Sequence, residues 1–307
     1  MGLRQSWRIE PAGDVFASAN GAVAPHGYGL GGLTWSELGG QAGDPGPSFS
    51  RLLSRLGMDW RSSWLDASGA SARAGGFGLP AAHGTTVLAL RFRDGVVMAG
   101  DRRATEGSSI AHRMMEKVMP ADSHSCVAIA GVAGPATEMV KLFQTQLEHY
   151  EKVEGLALTL DGKANQLGQM VRENLAMAMQ GLVVVPLFAG YDVHRRVGRI
   201  FAYDVTGGHF EEIDFHATGS GGRDARAAVK AAWRERISGP EAIQLAVQAL
   251  YDAADEDAAT GGPDAVRGIY PTVALVTADG FEKLDDEQVE RSFSELIEAR
   301  RLAGQAP

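Results

Sequence analysis

The residues best suited to chemistry in this 307-residue chain meet at His83-Gly84-Thr85-Thr86-Val87. Hydrolysis of the Gly84–Thr85 bond would leave a threonine whose free α-amino group stands beside its own hydroxyl. A hydroxyl nucleophile with an adjacent amine to take its proton is a minimal kit for nucleophilic catalysis. Gly-Thr is also an ordinary way to begin a strand, so the junction alone admits both readings. It gains weight from the change in the chain that occurs there.

Residues 1–84 contain no lysine, four of the five tryptophans and 17 of the 39 glycines. Gly-Gly pairs at 31–32, 39–40 and 75–76 interrupt any long periodic pattern, and one helix is expected, over 48–58, where Phe49, Leu52, Leu53 and Leu56 share a face. Such a stretch reads as a partly disordered leader with one short amphipathic piece; a small accessory domain is the alternative.

After Gly84 the pattern becomes regular. Residues 85–93 alternate, with Leu88, Leu90 and Phe92 on one face, and Asp94-Gly95 turns the chain into a second strand over 96–100. A buried strand is expected over 126–132. A helix follows from Gly134-Pro135, with Met139, Phe143, Leu147 and Tyr150 aligned, and a second spans about 164–180 through Leu167, Met170, Val171 and Leu175. Strands are expected at 182–189, 199–204 and 209–214, the last two joined at Thr206-Gly207-Gly208. Next come a helix near Gly222 carrying Val229 and Trp233, and another opening on Ser238-Gly239-Pro240-Glu241, a capping-box spacing with a stripe of Ile243, Val247, Leu250 and Tyr251. A strand over 272–277 and a C-terminal helix with Val289, Phe293, Leu296 and Ile297 aligned complete the chain. Strands in runs with helix pairs between them predict an α+β fold, two antiparallel sheets face to face with helix pairs outside, a four-layer αββα sandwich.

Composition narrows the partners. A formal net charge of −9 provides no field for nucleic acid or an anionic membrane. The longest apolar run, residues 182–189, is short and broken by Pro186, and residues 1–13 lack the apolar core of a signal peptide. A cytoplasmic protein is expected. The single cysteine, Cys126, lies in an apolar run and reads as a buried, inert thiol. There is no metal-ligand spacing and no phosphate-binding glycine loop, so neither metal nor cofactor is expected.

Four further motifs follow the junction in order: Gly100-Asp101-Arg102-Arg103-Ala104-Thr105 with Lys117 twelve residues on; Ala130-Gly131-Val132-Ala133-Gly134; Ala217-Thr218-Gly219-Ser220-Gly221-Gly222; and Asp257-Ala258-Ala259-Thr260-Gly261-Gly262. With Thr85-Thr86-Val87, this set resembles the β subunits of the 20S proteasome, of the kind found in actinobacteria, from Thr85 to about Thr277. The resemblance implies an N-terminal-nucleophile hydrolase fold over residues 85–307 and a propeptide, residues 1–84, removed at Gly84-Thr85. It implies a threonine endopeptidase in which Thr85 is the nucleophile and its amine, of ordinary pKa about 7.7–8.0, the base. Lys117 would lower the pKa of that amine and hydroxyl, with Asp101 keeping it charged and oriented. Gly131 would donate a backbone N–H to the oxyanion, and Ser220, Asp257 and Thr260 would surround the amine. Position 260 departs from the family, which commonly has serine there, but the hydroxyl is kept.

Pocket positions of the family map onto Ala104, Met115, Met119, Ile129 and Ala133, all apolar, which predicts apolar side chains before the scissile bond. Thr105 and the Gly131 edge would hold substrate backbone as an added strand. The implied partners are α subunits and other β subunits in stacked rings, an ATPase or other regulator acting through the α ring, and polypeptide substrates. Three rivals stay open: a smaller bacterial ATP-dependent peptidase of the same nucleophile group, an inactive ring subunit, and a binding protein capped permanently by its leader. The first usually has Gly-Asp-Gly-Gln where this chain has Gly100-Asp101-Arg102-Arg103.

Overall fold

The computed structural model describes residues 84–107 and 109–304, so the segment 48–58 expected as a helix lies outside the described residues. One five-stranded antiparallel sheet has the order β10-β1-β2-β11-β12, formed by β1 (Thr86–Phe92), β2 (Gly95–Gly100), β10 (Phe215–Gly219), β11 (Thr272–Thr277) and β12 (Gly280–Lys283). The other has the order β5-β6-β7-β8-β9, from β5 (Val118–Asp122), β6 (Ser125–Gly131), β7 (Val184–Asp192), β8 (Val197–Tyr203) and β9 (His209–Glu212). A hairpin of β3 (Ala104–Glu106) and β4 (Ser109–His112) stands apart from both. The helices are α1 (Ala133–Glu154), α2 (Leu160–Glu173), the single turn α3 (Leu175–Ala178), α4 (Gly222–Ala232), α5 (Gly239–Glu256) and α6 (Asp286–Gly304). All are part of one compact unit.

Strand alternation sorts the apolar side chains into three clusters. Leu88 and Leu90 of β1, with Val97 and Ala99 of β2, pack on Val229 of α4, Ala246 and Leu250 of α5 and Val289 of α6. The intervening residues Val87 and Ala89, with Val96 and Met98, meet Cys126, Ala128, Leu187, Ala189 and Ile200 of the second sheet. The other side of that second sheet, through Val127, Ile129, Phe188 and Phe201, packs on Met139, Phe143 and Leu147 of α1 and Leu167 and Val171 of α2. Phe143 meets Phe188 edge to face at 6.0 Å, a favourable aromatic geometry. β1 and β2 therefore bury apolar residues on both faces, so the alternation expected over 85–93 divides side chains between two clusters rather than between core and solvent. Cys126 is fully buried, and burial pushes its thiol far above the ordinary range, as expected of an inert cysteine.

Local chemistry explains where the elements start and stop. Both halves of the Ser238/Glu241 capping box are formed, with Pro240 in the first turn of α5. The expected helix over 164–180 instead begins at Leu160, where the Thr159 hydroxyl accepts from Gly162 N–H at 3.1 Å, and stops at Asn174. Trp233 is not helical. It leaves α4 in an extended conformation, donates its indole N–H to the Arg91 carbonyl at 2.9 Å and packs on Phe215. The strand expected over 209–214 ends at Glu212; the chain then crosses from the second sheet to the first and continues as β10. The stripe of α6 turns onto its own domain, with Val289 in the first cluster and Phe293 beside Tyr251 and Tyr270. Among the described residues, no helix is long and apolar enough to cross a membrane.

Candidate active site

Strand register gathers one end of each relevant strand at a single place. The start of β1 lies opposite the end of β10 (Thr86↔Gly219) and near the end of β2 (Val87↔Gly100), and Gly100 faces Thr272 at the start of β11. Thr85 therefore sits where Asp101 follows β2 and Ser220 follows β10. Lys117 precedes β5, and Ile129 N–H donates to its carbonyl at 3.2 Å, tying it to β6. Asp257 caps the C-terminus of α5, and Thr260 lies in the loop beyond.

Gly84 and Thr85 are both buried. Gly84 N–H donates to Thr105 Oγ at 3.0 Å. Lys117 Nζ reaches the Gly84 carbonyl at 3.4 Å, and Ser220 Oγ accepts from Thr85 N–H at 3.3 Å. The two sides of the Gly84–Thr85 peptide bond are thus held by Lys117 and Ser220, and the amide before it by Thr105, side chains far apart in sequence. Gly84 has a steric reason to be glycine, since a Cβ there would stand 2.0 Å from Cβ of Ala259.

Lys117 is almost wholly buried. Its ammonium donates to Asp101 Oδ1 at 2.6 Å and to the Arg103 carbonyl at 2.5 Å. Burial pulls its pKa below the usual lysine range, and attraction and hydrogen bonding to Asp101 oppose that fall. Asp101 is fully buried and also accepts from the backbone N–H groups of Thr86 (2.8 Å), Arg103 (2.9 Å) and Gly261 (2.9 Å). A carboxylate with this many donors is fixed in position, so the lysine beside it is fixed as well.

Ser220, Asp257 and Thr260 form a second cluster. Thr260 Oγ donates to Asp257 Oδ2 at 2.6 Å, and Ser220 N–H donates to the Thr85 carbonyl at 2.8 Å. Burial acts to raise the Asp257 pKa, but hydrogen bonds from Ser220, Thr260 and two backbone amides outweigh it and hold the carboxyl below its ordinary value.

Gly131 closes β6 with φ +128°, where any Cβ would strike the Val183 carbonyl oxygen at 2.1 Å; only glycine fits. The hydrogen bond that reaches the Gly84 carbonyl comes from Lys117, not from Gly131. Among the expected pocket residues, Ala104 is buried in β3 and Ile129 is buried against α1, whereas Met115, Met119 and Ala133 are half-buried. Two groups at the site have no signal of their own in the sequence, the Arg103 carbonyl and the Thr86 hydroxyl. No residue type marks a carbonyl, and Thr86 is visible only as part of the Thr-Thr-Val motif.

A model of the proteasome subunit family matches residues 81–267. The chain is 58% identical to a protein named proteasome subunit beta from Acidimicrobium ferrooxidans over 261 residues, 85% of this chain and 93% of that protein. The chain belongs to the proteasome subunit family. It is also 59% identical to the proteasome subunit beta of Streptomyces griseus, covering 72% of this chain and 78% of that one. With that of Acidothermus cellulolyticus it shares 56%, covering 74% and 80%. The observed mixture of antiparallel sheets and helices is the α+β class, in agreement with the N-terminal-nucleophile hydrolase fold of proteasome subunits.

Proposed function

We propose that the chain is a catalytic β subunit of a 20S proteasome, a threonine endopeptidase that assembles in rings with α subunits and with further β subunits. The observation that carries this reading is the convergence on the Gly84–Thr85 bond of Lys117, Ser220 and, through Lys117, Asp101. Three clusters, one joining the two sheets and one under each helix group, support the finer description of the domain as a four-layer αββα sandwich.

Residues 1–84 are a propeptide in this reading, and Thr85 removes it. Thr85 Oγ attacks the Gly84 carbonyl carbon, a C–O bond forms, the Gly84–Thr85 C–N bond breaks, and the hydroxyl proton passes to the departing amine. Water then hydrolyses the ester, releasing a Gly84 carboxylate and restoring the Thr85 hydroxyl beside a free amine. The Lys117 ammonium faces the oxygen that gains negative charge. Thereafter the amine of Thr85 serves as base, Lys117 and Asp101 tune it, Ser220, Asp257 and Thr260 hold it, and Gly131 supplies an oxyanion donor to substrates. Ala104, Met115, Met119, Ile129 and Ala133 line the specificity pocket, and Thr105 binds backbone. Peptides with Tyr, Phe or Leu before the cut are hydrolysed faster than those with Arg or Asp, by on the order of tenfold or more. The substrates are unfolded polypeptides in the cytoplasm, delivered by an ATPase or other regulator through the α ring.

Co-expression of the Thr85→Ala chain with its α partner tests self-cleavage. The expected product is an assembled particle with a full-length β chain and no peptidase activity. A chain still cut after Gly84 would assign the cleavage to another protease.

A further inference from the structure

The buried hydroxyl of Thr86 belongs to a hydrogen-bond chain whose direction is set by its two ends. At one end the Asp257 carboxylate, held ionised by its surroundings, can only accept. The proton of Thr260 therefore lies on the 2.6 Å bond to Asp257 Oδ2. Thr260 Oγ must then accept along its 2.6 Å contact with Thr86 Oγ, so the Thr86 proton lies on that contact. At the other end Gly221 N–H, which can only donate, donates to Thr86 Oγ at 2.9 Å. The sequence of bonds is Gly221 N–H to Thr86 to Thr260 to Asp257, each hydroxyl giving one bond and accepting one.

Thr86 is also joined through its backbone to the other half of the site. Its N–H donates to Asp101 Oδ1, the oxygen that also receives Lys117 Nζ, and its carbonyl accepts from Asp101 N–H at 3.0 Å. One fully buried residue, next in sequence to the nucleophile, is bonded to both halves: the Asp101–Lys117 pair by main chain and the Asp257–Thr260 group by side chain. Gly221 follows Ser220, whose hydroxyl and N–H take the amide and carbonyl of Thr85.

We infer that Thr86 is a positioning residue for the reaction of Thr85, its hydroxyl locking the Ser220–Gly221 turn and the Asp257–Thr260 loop in register with the nucleophile. This deepens the proposed peptidase function and rests on it. Thr86 does not touch the scissile bond. Without its hydroxyl, Gly221 N–H and the accepting side of Thr260 are left unpaired where water is excluded, so Ser220 and Thr260 lose their common anchor.

The test compares Thr86→Val, which keeps the shape and removes the hydroxyl, with Thr86→Ser, which keeps the hydroxyl. Each is expressed as the full chain with its α partner and assayed on a fluorogenic peptide, normalised to assembled particle. Thr86→Val is expected to lower kcat by about tenfold to a hundredfold with KM within about twofold, and to slow removal of residues 1–84 in parallel. Thr86→Ser is expected to stay within about threefold of the parent. A merely structural role would reduce the assembled fraction and melting temperature but leave kcat per assembled site unchanged, and that result would overturn the inference. So would a Thr86→Ser chain as slow as Thr86→Val. Should Thr86→Val give no particle, Thr86→Cys, with its weak S–H donor, is read by the same criteria. The parent particle controls for the underlying reading: an inactive, uncut parent sinks the peptidase assignment itself, whereas an active parent with an unaffected Thr86→Val chain sinks only the role of Thr86.

Discussion

Two buried cations of this domain have been given opposite environments. Lys117 has one carboxylate, Asp101, and two backbone carbonyls, and burial leaves its pKa below the usual lysine range. Arg199, on β8, is equally enclosed but meets three carboxylates: Glu211 of β9 at 2.6 Å, Asp161 of α2 at 2.7 Å and Asp192 of β7 at 3.2 Å. The hydrogen bonds it donates to Glu211 and Asp161 raise its pKa still further. The guanidinium cannot give up its proton under any physiological condition, so this cluster fastens strands and a helix. The lysine is held with less compensating charge, which leaves its ammonium able to act on the Gly84 carbonyl it faces. Burial alone does not distinguish a weld from a working group. These two cations differ in the number of carboxylates that compensate them.

The contrast is sharpest when each cation is removed. Lys117→Met is expected to leave an assembled particle whose leader stays attached and whose peptidase rate falls at least about a thousandfold. Intact mass and peptide hydrolysis measure both. Lys117→Arg is expected to fail as well, because a longer, planar guanidinium cannot take the place of the compact ammonium that faces the Gly84 carbonyl and Asp101. Activity within tenfold of the parent in either variant would remove Lys117 from the chemistry.

Arg199→Met is expected to behave in the reverse way, costing stability while leaving the kcat of folded particles unchanged. Removing one partner of a buried pair costs about 3–5 kcal/mol. Asp161 and Glu211 remain half exposed, so the expected loss here is smaller, about 2 kcal/mol, read by denaturant unfolding. A selective fall in kcat would contradict the division between the two sites.

The smallest effect concerns acid. Asp161 and Glu211 are lowered chiefly by hydrogen bonds from Arg199, and Asp192 is lowered by amide and Arg199 bonds that outweigh its burial. A carboxylate with a depressed folded pKa contributes stability that is fully present above its unfolded value and lost as pH falls through the folded one. The contribution of these three carboxylates should therefore be flat from neutrality down to about pH 5 and decline below about pH 4. In Arg199→Met that acid decline should be shallower, which a pH series of melting temperatures would detect.

Much of this architecture is legible in the amino-acid sequence. Leu88, Leu90 and Phe92 alternate along β1 and lie in one cluster, and the Ser238 capping box forms where its spacing indicates. Thr85 and Asp101 stand out because each belongs to a short local motif, and Lys117 because it follows the end of the second of these by twelve residues. What the sequence hides depends on partners distant along the chain. The hydroxyl of Thr86 has meaning only beside Thr260, 174 residues away. Trp233 continues a helical stripe on paper, but the Arg91 carbonyl and Phe215 draw it out of the helix. The start of α2 lies ahead of the stripe of Leu167, Met170 and Val171, where the Thr159 hydroxyl accepts from Gly162 N–H in the first turn. The hairpin of β3 and β4 is short, with β4 exposed along its whole length, so it has no hydrophobic alternation to announce it.

The central claim is that the Gly84–Thr85 bond is opened to arm Thr85, and the N-terminus of the chain in an assembled, active particle tests it most directly. Sequencing from that particle should read Thr85-Thr86-Val87, with the intact mass of residues 85–307. A fully active particle whose chain begins at any other residue, or still carries residues 1–84, would contradict it.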